Sequence, residues 1–119
     1  MTIKTRPAAS KASRRKALTA AKLDALIEEA TVDAYGESEQ VTGFHAMLEE
    51  YLAVPFKTEV LGMEVTVERV DMTDDEQIVA VCSRGKSRQR ISITELPLPA
   101  LPPEGWEWID AYRRSARGR

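Results

Sequence analysis

Phe56-Lys57-Thr58-Glu59-Val60-Leu61-Gly62-Met63-Glu64-Val65-Thr66-Val67-Glu68 is the stretch that decides the fold. Phe56, Thr58 and Val60 alternate with Lys57, Glu59 and Leu61. After Gly62, Met63, Val65 and Val67 alternate with Glu64, Thr66 and Glu68. A period of two with a glycine in the middle predicts two short antiparallel strands joined by a tight turn. Ile78 to Ser83 and Arg88 to Ile93 continue the pattern, linked by an acidic turn, Asp71 to Asp75, and by Arg84-Gly85-Lys86-Ser87. Connections this short suit hairpins rather than helical crossovers. Four such strands predict a small, strongly bent antiparallel sheet of the SH3-like half-barrel kind.

Upstream the period lengthens to that of a helix. Leu23, Leu26, Ile27, Ala30 and Ala34 share one face of a helix starting near Thr19 and stopped by Gly36. Ser38 is placed to cap a second helix, whose apolar stripe is Val41, Phe44, Leu48, Tyr51 and Leu52 and which Pro55 ends. Downstream, Leu96-Pro97-Leu98-Pro99-Ala100-Leu101-Pro102-Pro103 cannot donate the hydrogen bonds of a strand and is expected to run as a polyproline strap. Pro103 suits the start of a last helix, Glu104 to about Arg117, with Trp108, Ile109 and Tyr112 on its apolar face. The expected class is α+β: two N-terminal helices on the sheet, the strap and a C-terminal helix.

The 119 residues suffice for one hydrophobic core. A single domain over 19–117 is expected, preceded by a disordered basic tail over 1–18 with few large apolar side chains. One cysteine excludes an intrachain disulfide framework and fits a reducing, cytoplasmic setting. No apolar run approaches the roughly 20 residues of a membrane span, so a soluble monomer is expected. Glycine-rich phosphate loops, paired histidines at metal spacing and nucleophile elbows are absent, which points away from catalysis. His45 and Cys82 read as packed structural residues.

The charges are sorted along the chain. Residues 1–22 hold seven Lys/Arg and no acid; residues 24–83 hold fifteen Asp/Glu against Lys57 and Arg69, a net of 2 − 15 = −13. Two carboxylates about 5 Å apart at an effective dielectric of about 20 repel by roughly 3 kcal/mol, so a bound cation is an economical partner for such clusters. Calcium takes six to eight oxygens in irregular geometry and needs no nitrogen or sulfur. Two segments can supply those oxygens. In the first, 33–39, the candidates are Asp33, Glu37 and Glu39; in the second, 71–76, they are Asp71, Asp74 and Asp75. Neither has the spacing of an EF-hand. A rival reading is a small β-barrel interaction module whose acidic surface docks on a basic protein. Nucleic-acid binding through the tail and Arg84, Lys86, Arg88 and Arg90 is disfavoured, because the anionic middle repels phosphate.

Thr31-Val32-Asp33-Ala34-Tyr35-Gly36-Glu37-Ser38-Glu39-Gln40, then Gly43-Phe44-His45, then Val54-Pro55-Phe56-Lys57, resemble in that order a small calcium-binding protein family first known from cyanobacteria. The similarity continues through Val65 to Asp71 and Trp108 to Tyr112, covering about residues 23–117. The resemblance implies a non-catalytic, bacterial, acidic calcium buffer or sensor without EF-hands, with two helices packed on a small sheet. It matches Asp33 and Glu37 to Glu39 with the family's acidic loop between helices, and Asp71 to Glu76 with its acidic loop between strands. Gly36 stands where some members carry another carboxylate, and Ser115 replaces an aromatic position of the last helix.

Overall fold

The computed structural model describes residues 18–117; the tail expected over 1–18 lies, Leu18 apart, outside them. Helix α1 spans Ala20–Ala30. Thr19 caps it, its hydroxyl accepting from Lys22 N at 3.1 Å. The helix ends well before Gly36, where the spacing had placed its stop. Thr31 is the reason: its Oγ1 donates to the Ile27 carbonyl at 2.8 Å, and Ala34 N closes a turn on Thr31 O at 3.0 Å. Ala34 therefore leaves the helical stripe. Helix α2 spans Glu37–Tyr51 and is capped by Gly36 rather than Ser38. Glu39 sets this start by reaching back to accept from Tyr35 N at 2.7 Å, in the manner of a capping box. Where α1 and α2 cross, Gly43 lies so close to the Ala30 carbonyl that any side chain there would overlap it.

The four strands are β1 (Phe56–Val60), β2 (Met63–Met72), β3 (Ile78–Arg84) and β4 (Ser87–Ser92), antiparallel in the order β1-β2-β3-β4. A bulge interrupts β2: Val67 pairs with Cys82, but Arg69 already pairs with Val81. The extra residue, Glu68, shifts the alternation, so Val67, Val70 and Met72 share one face and Asp71 is turned to the other. That first face packs on Phe44, Leu48, Ile93, Leu96 and Ile109, each 1% exposed or less. Val79 and Val81 on the other face are buried as well, beneath an Asp71–Arg90 ion pair of 3.6 Å that bridges β2 and β4 across β3.

The chain returns over the sheet through residues 96–103, which form neither helix nor strand. Leu96 is fully buried, and Thr58 Oγ1 on β1 donates to the Pro97 carbonyl at 2.7 Å. Helix α3 spans Glu107–Arg117. It starts later than Glu104, because Gly105 takes φ +89°, outside the helical region, and the 104–106 turn closes with Trp106 N on Pro103 O at 3.2 Å. Its inner face is Trp108, Ile109, Ala111 and Tyr112, as the spacing predicted for Trp108, Ile109 and Tyr112. Tyr51 stacks on Trp108 with centroids 5.9 Å apart, and Arg114 Nε meets Asp24 Oδ1 at 2.8 Å to tie α3 to α1.

Arg113 holds the returning segment down. Its Nε donates to Ile93 O at 3.2 Å and its Nη2 to Leu96 O. Hydrogen bonds from a charged donor contribute about 1.5 to 3 kcal/mol each. Arg113→Met keeps the stem and removes both donors, so it is expected to lower stability by about 3 kcal/mol in urea unfolding, the low end for two such part-buried bonds. A loss within measurement error would show that water satisfies both carbonyls equally well.

Candidate functional site

The two acidic segments foreseen as cation loops meet in space. Ser38, in the first turn of α2, donates from Oγ to Glu76 Oε2 at 2.5 Å, joining residues 38 apart in sequence. Beside this contact lies a cleft of about 440 Å³. Glu37 and Val41 line it from α2, Asp75, Glu76 and Gln77 from the β2–β3 turn, and Tyr112 and Ala116 from α3. Three carboxylates thus line one space.

The β2–β3 turn is built to present them. Thr73 N donates to Gln77 O at 2.9 Å and Glu76 N to Thr73 O at 3.0 Å. Thr73 Oγ1 donates to Asp75 Oδ1 and accepts from Gln77 N at 3.1 Å. Glu76 itself adopts φ +65°. A left-handed conformation costs an ordinary L-residue about 1 to 2 kcal/mol, and glycine or asparagine would relieve it. The turn instead keeps a carboxylate at this position, directed to Ser38.

On the opposite side of the cleft, Glu37 and Glu39 occupy the first turn of α2, where the helix dipole favours negative charge. Glu39 has one oxygen engaged by Tyr35 N.

The residues expected as ligands are therefore distributed. Glu37 and Asp75 come together in the cleft, joined by Glu76, a member of the second acidic segment outside the expected ligand set. Asp33 and Asp74 are exposed on the turns that flank α2 and β3, and neither lines the cleft. Asp71 belongs to β2 rather than to the turn; its Oδ1 accepts from Met72 N at 2.9 Å and its Oδ2 faces Arg90. The bulge at Glu68 accounts for this, and its trace in the sequence is the three-residue step from Val67 to Val70.

The donor chemistry suits calcium, being hard oxygen throughout: carboxylates, the Ser38 hydroxyl and the Gln77 amide. The spacing is looser than a closed coordination sphere, since among the described residues no three His, Cys, Asp or Glu side chains converge tightly enough to hold a metal ion as they stand. His45 and Cys82 offer no competing site. His45 Nε2 is buried without a hydrogen bond, 3.7 Å from Glu49, and burial raises the Cys82 thiol pKa, which keeps it protonated. Among the described residues, no helix is long and apolar enough to cross a membrane.

No curated protein and no solved structure matches the chain. The family model for CcbP, described as calcium binding, matches residues 24–112, which take in most of α1, all of α2, the whole sheet and the buried residues of α3. With well over half of its length matched, both acidic segments included, this chain belongs to the CcbP family of calcium-binding proteins.

Proposed function

We propose that the protein is a non-catalytic calcium buffer or sensor of the cytoplasm, a monomer that binds the ion through acidic segments unlike EF-hands. The observation that carries the reading is the meeting of Glu37 with Asp75 and Glu76 along one cleft. Binding would draw these carboxylates together and remove their mutual repulsion. Asp33, Glu39 and Asp74 stand on the same two segments and extend the acidic surface; Asp71 is paired with Arg90 instead. The half-barrel reading of the sheet and the strap reading of 96–103 belong to this proposal. They are supported by the bulge in β2 and by the Thr58 contact to Pro97.

Calorimetric titration of the metal-stripped full chain with calcium tests it, with melting curves alongside. A ligand that binds only the folded state adds about 2.7 kcal/mol at 100 times its Kd. At roughly 3 to 6 °C per kcal/mol for a domain of this size, the melting temperature should rise by about 10 °C. An unchanged midpoint at roughly millimolar calcium, the weak end of natural calcium sites, rejects the reading. Glu76→Gln and Asp75→Asn should each weaken binding far more than Glu28→Gln, which removes a charge from the exposed face of α1. Asp33→Asn reports whether the turn before α2 contributes. Equal losses in all four variants would indicate a diffuse field, screened by salt, in place of a site.

A further inference from the structure

The sheet is longer than the helical layer that covers it. Its core-side face continues past the helices toward the two hairpin tips as a trough of about 370 Å³, walled by Val60, Met63, Val65, Cys82 and Ile91. At its lip stands Leu61, 98% exposed and at φ +52°. Nothing in the fold favours leucine there. A two-residue hairpin turn with positive φ prefers asparagine or glycine, and an exposed leucine adds no burial.

Two further observations say what would fill the trough. The first is charge: Arg84 stands in its lining and, among the described residues, no carboxylate does, although residues 24–83 carry a net of −13. The second is the edge. Among the described residues strand β4 pairs with β3 alone, so its outer side is the edge of the sheet and offers backbone groups to an added strand. Along β4, Gln89 and Ile91 point to the trough side, while Arg88 and Arg90 point to the other, exposed and in ion pairs of only 4.0 and 3.6 Å. A strand laid against β4 would therefore meet an apolar trough on one face and arginines on the other.

We infer that β4 and the trough together form a docking surface for an extended protein segment in which apolar and acidic residues alternate. The apolar side chains would enter beside Leu61 and Met63, and the acidic ones would lie along Arg88 and Arg90. A nucleic acid fits less well, because among the described residues no aromatic side chain lines the trough to stack a base.

Backbone and methyl NMR titration of the full chain, in chelator so that calcium plays no part, tests the proposal. The probe is a synthetic ten-residue peptide of alternating glutamate and valine, compared with lysine–valine and glutamate–serine versions. The glutamate–valine peptide should move the amides of β4 and the methyl groups of Met63 and Leu61. Arg88→Glu with Arg90→Glu should weaken it about tenfold, the combined effect of two reversed exposed ion pairs. Leu61→Asn should weaken it by about tenfold, the contribution of one large buried apolar side chain, while leaving the melting temperature unchanged or raised. Equal binding of the lysine–valine or glutamate–serine peptide overturns the proposal, as does unaltered binding by Leu61→Asn. So would an oligothymidylate that moves the same resonances more tightly, or shifts that follow protein concentration alone and reveal a second copy in the trough.

Discussion

Gly105→Ala is expected to cost about 2 to 5 kcal/mol and to lower the melting temperature by about 6 to 30 °C, against a total stability of about 5 to 15 kcal/mol for a domain of this size. Two effects add. Gly105 sits at φ +89°, a conformation that costs an alanine about 1 to 2 kcal/mol. Its new Cβ would also lie 2.7 Å from Leu52 Cα and overlap the Tyr51 carbonyl oxygen. These are backbone atoms at the end of α2, held by the Ala53 N to Glu104 O hydrogen bond of 2.8 Å, so they cannot rotate away. Overpacking of this kind costs about 1 to 3 kcal/mol. The matched control is Gly36→Ser, where an added Cβ meets nothing within 4 Å and serine is a good cap; its stability should change by only a few tenths of a kcal/mol. Thermal unfolding followed by circular dichroism reads both. Equal midpoints for the two variants would mean that the 104–106 turn can shift away from α2.

Phe44→Ala should be at least as damaging. Phe44 has no exposed surface and meets Tyr112 edge-on, with centroids 5.3 Å apart and planes at 63°. Truncating a buried phenylalanine costs about 3 to 5 kcal/mol, and an edge-to-face ring pair adds about 0.5 to 1.5 kcal/mol. Phe44→Leu keeps most of the volume and loses the ring pair, so it should cost no more than about 1.5 kcal/mol. The pair also matters for the site, because Tyr112 is part of the cleft wall next to Glu37 and Glu76. Urea unfolding separates the variants. If leucine and alanine destabilise equally, the ring contact dominates the volume, contrary to this account.

Much of the fold was legible because its driving forces are local and periodic. The two-residue alternation over 56–67 and the helical stripes of Leu23, Leu26 and Ile27 and of Val41, Phe44 and Leu48 are direct traces of which side faces the core. Boundaries failed where a single side chain competed with the pattern. Thr31 closed α1 early, Glu39 moved the cap of α2 from Ser38 to Gly36, and Gly105 delayed α3 to Glu107. Each is a contact of one hydrogen bond or one dihedral, too small to stand out against the average propensity of its neighbours.

By itself the sequence determined the element types, the apolar faces, the anionic middle and the two segments from which carboxylates are drawn. Only the tertiary structure decided which of those carboxylates meet. The bulge at Glu68 turned Asp71 outward to Arg90, the left-handed Glu76 reached Ser38 from 38 residues away, and α2 and α3 closed the cleft around Glu37 and Asp75. The physical reason is one of range. Charge and hydrophobicity are carried by each residue and can be summed along the chain, whereas the direction of a carboxylate depends on strand register and turn conformation, and these are set by the packing of segments distant in sequence.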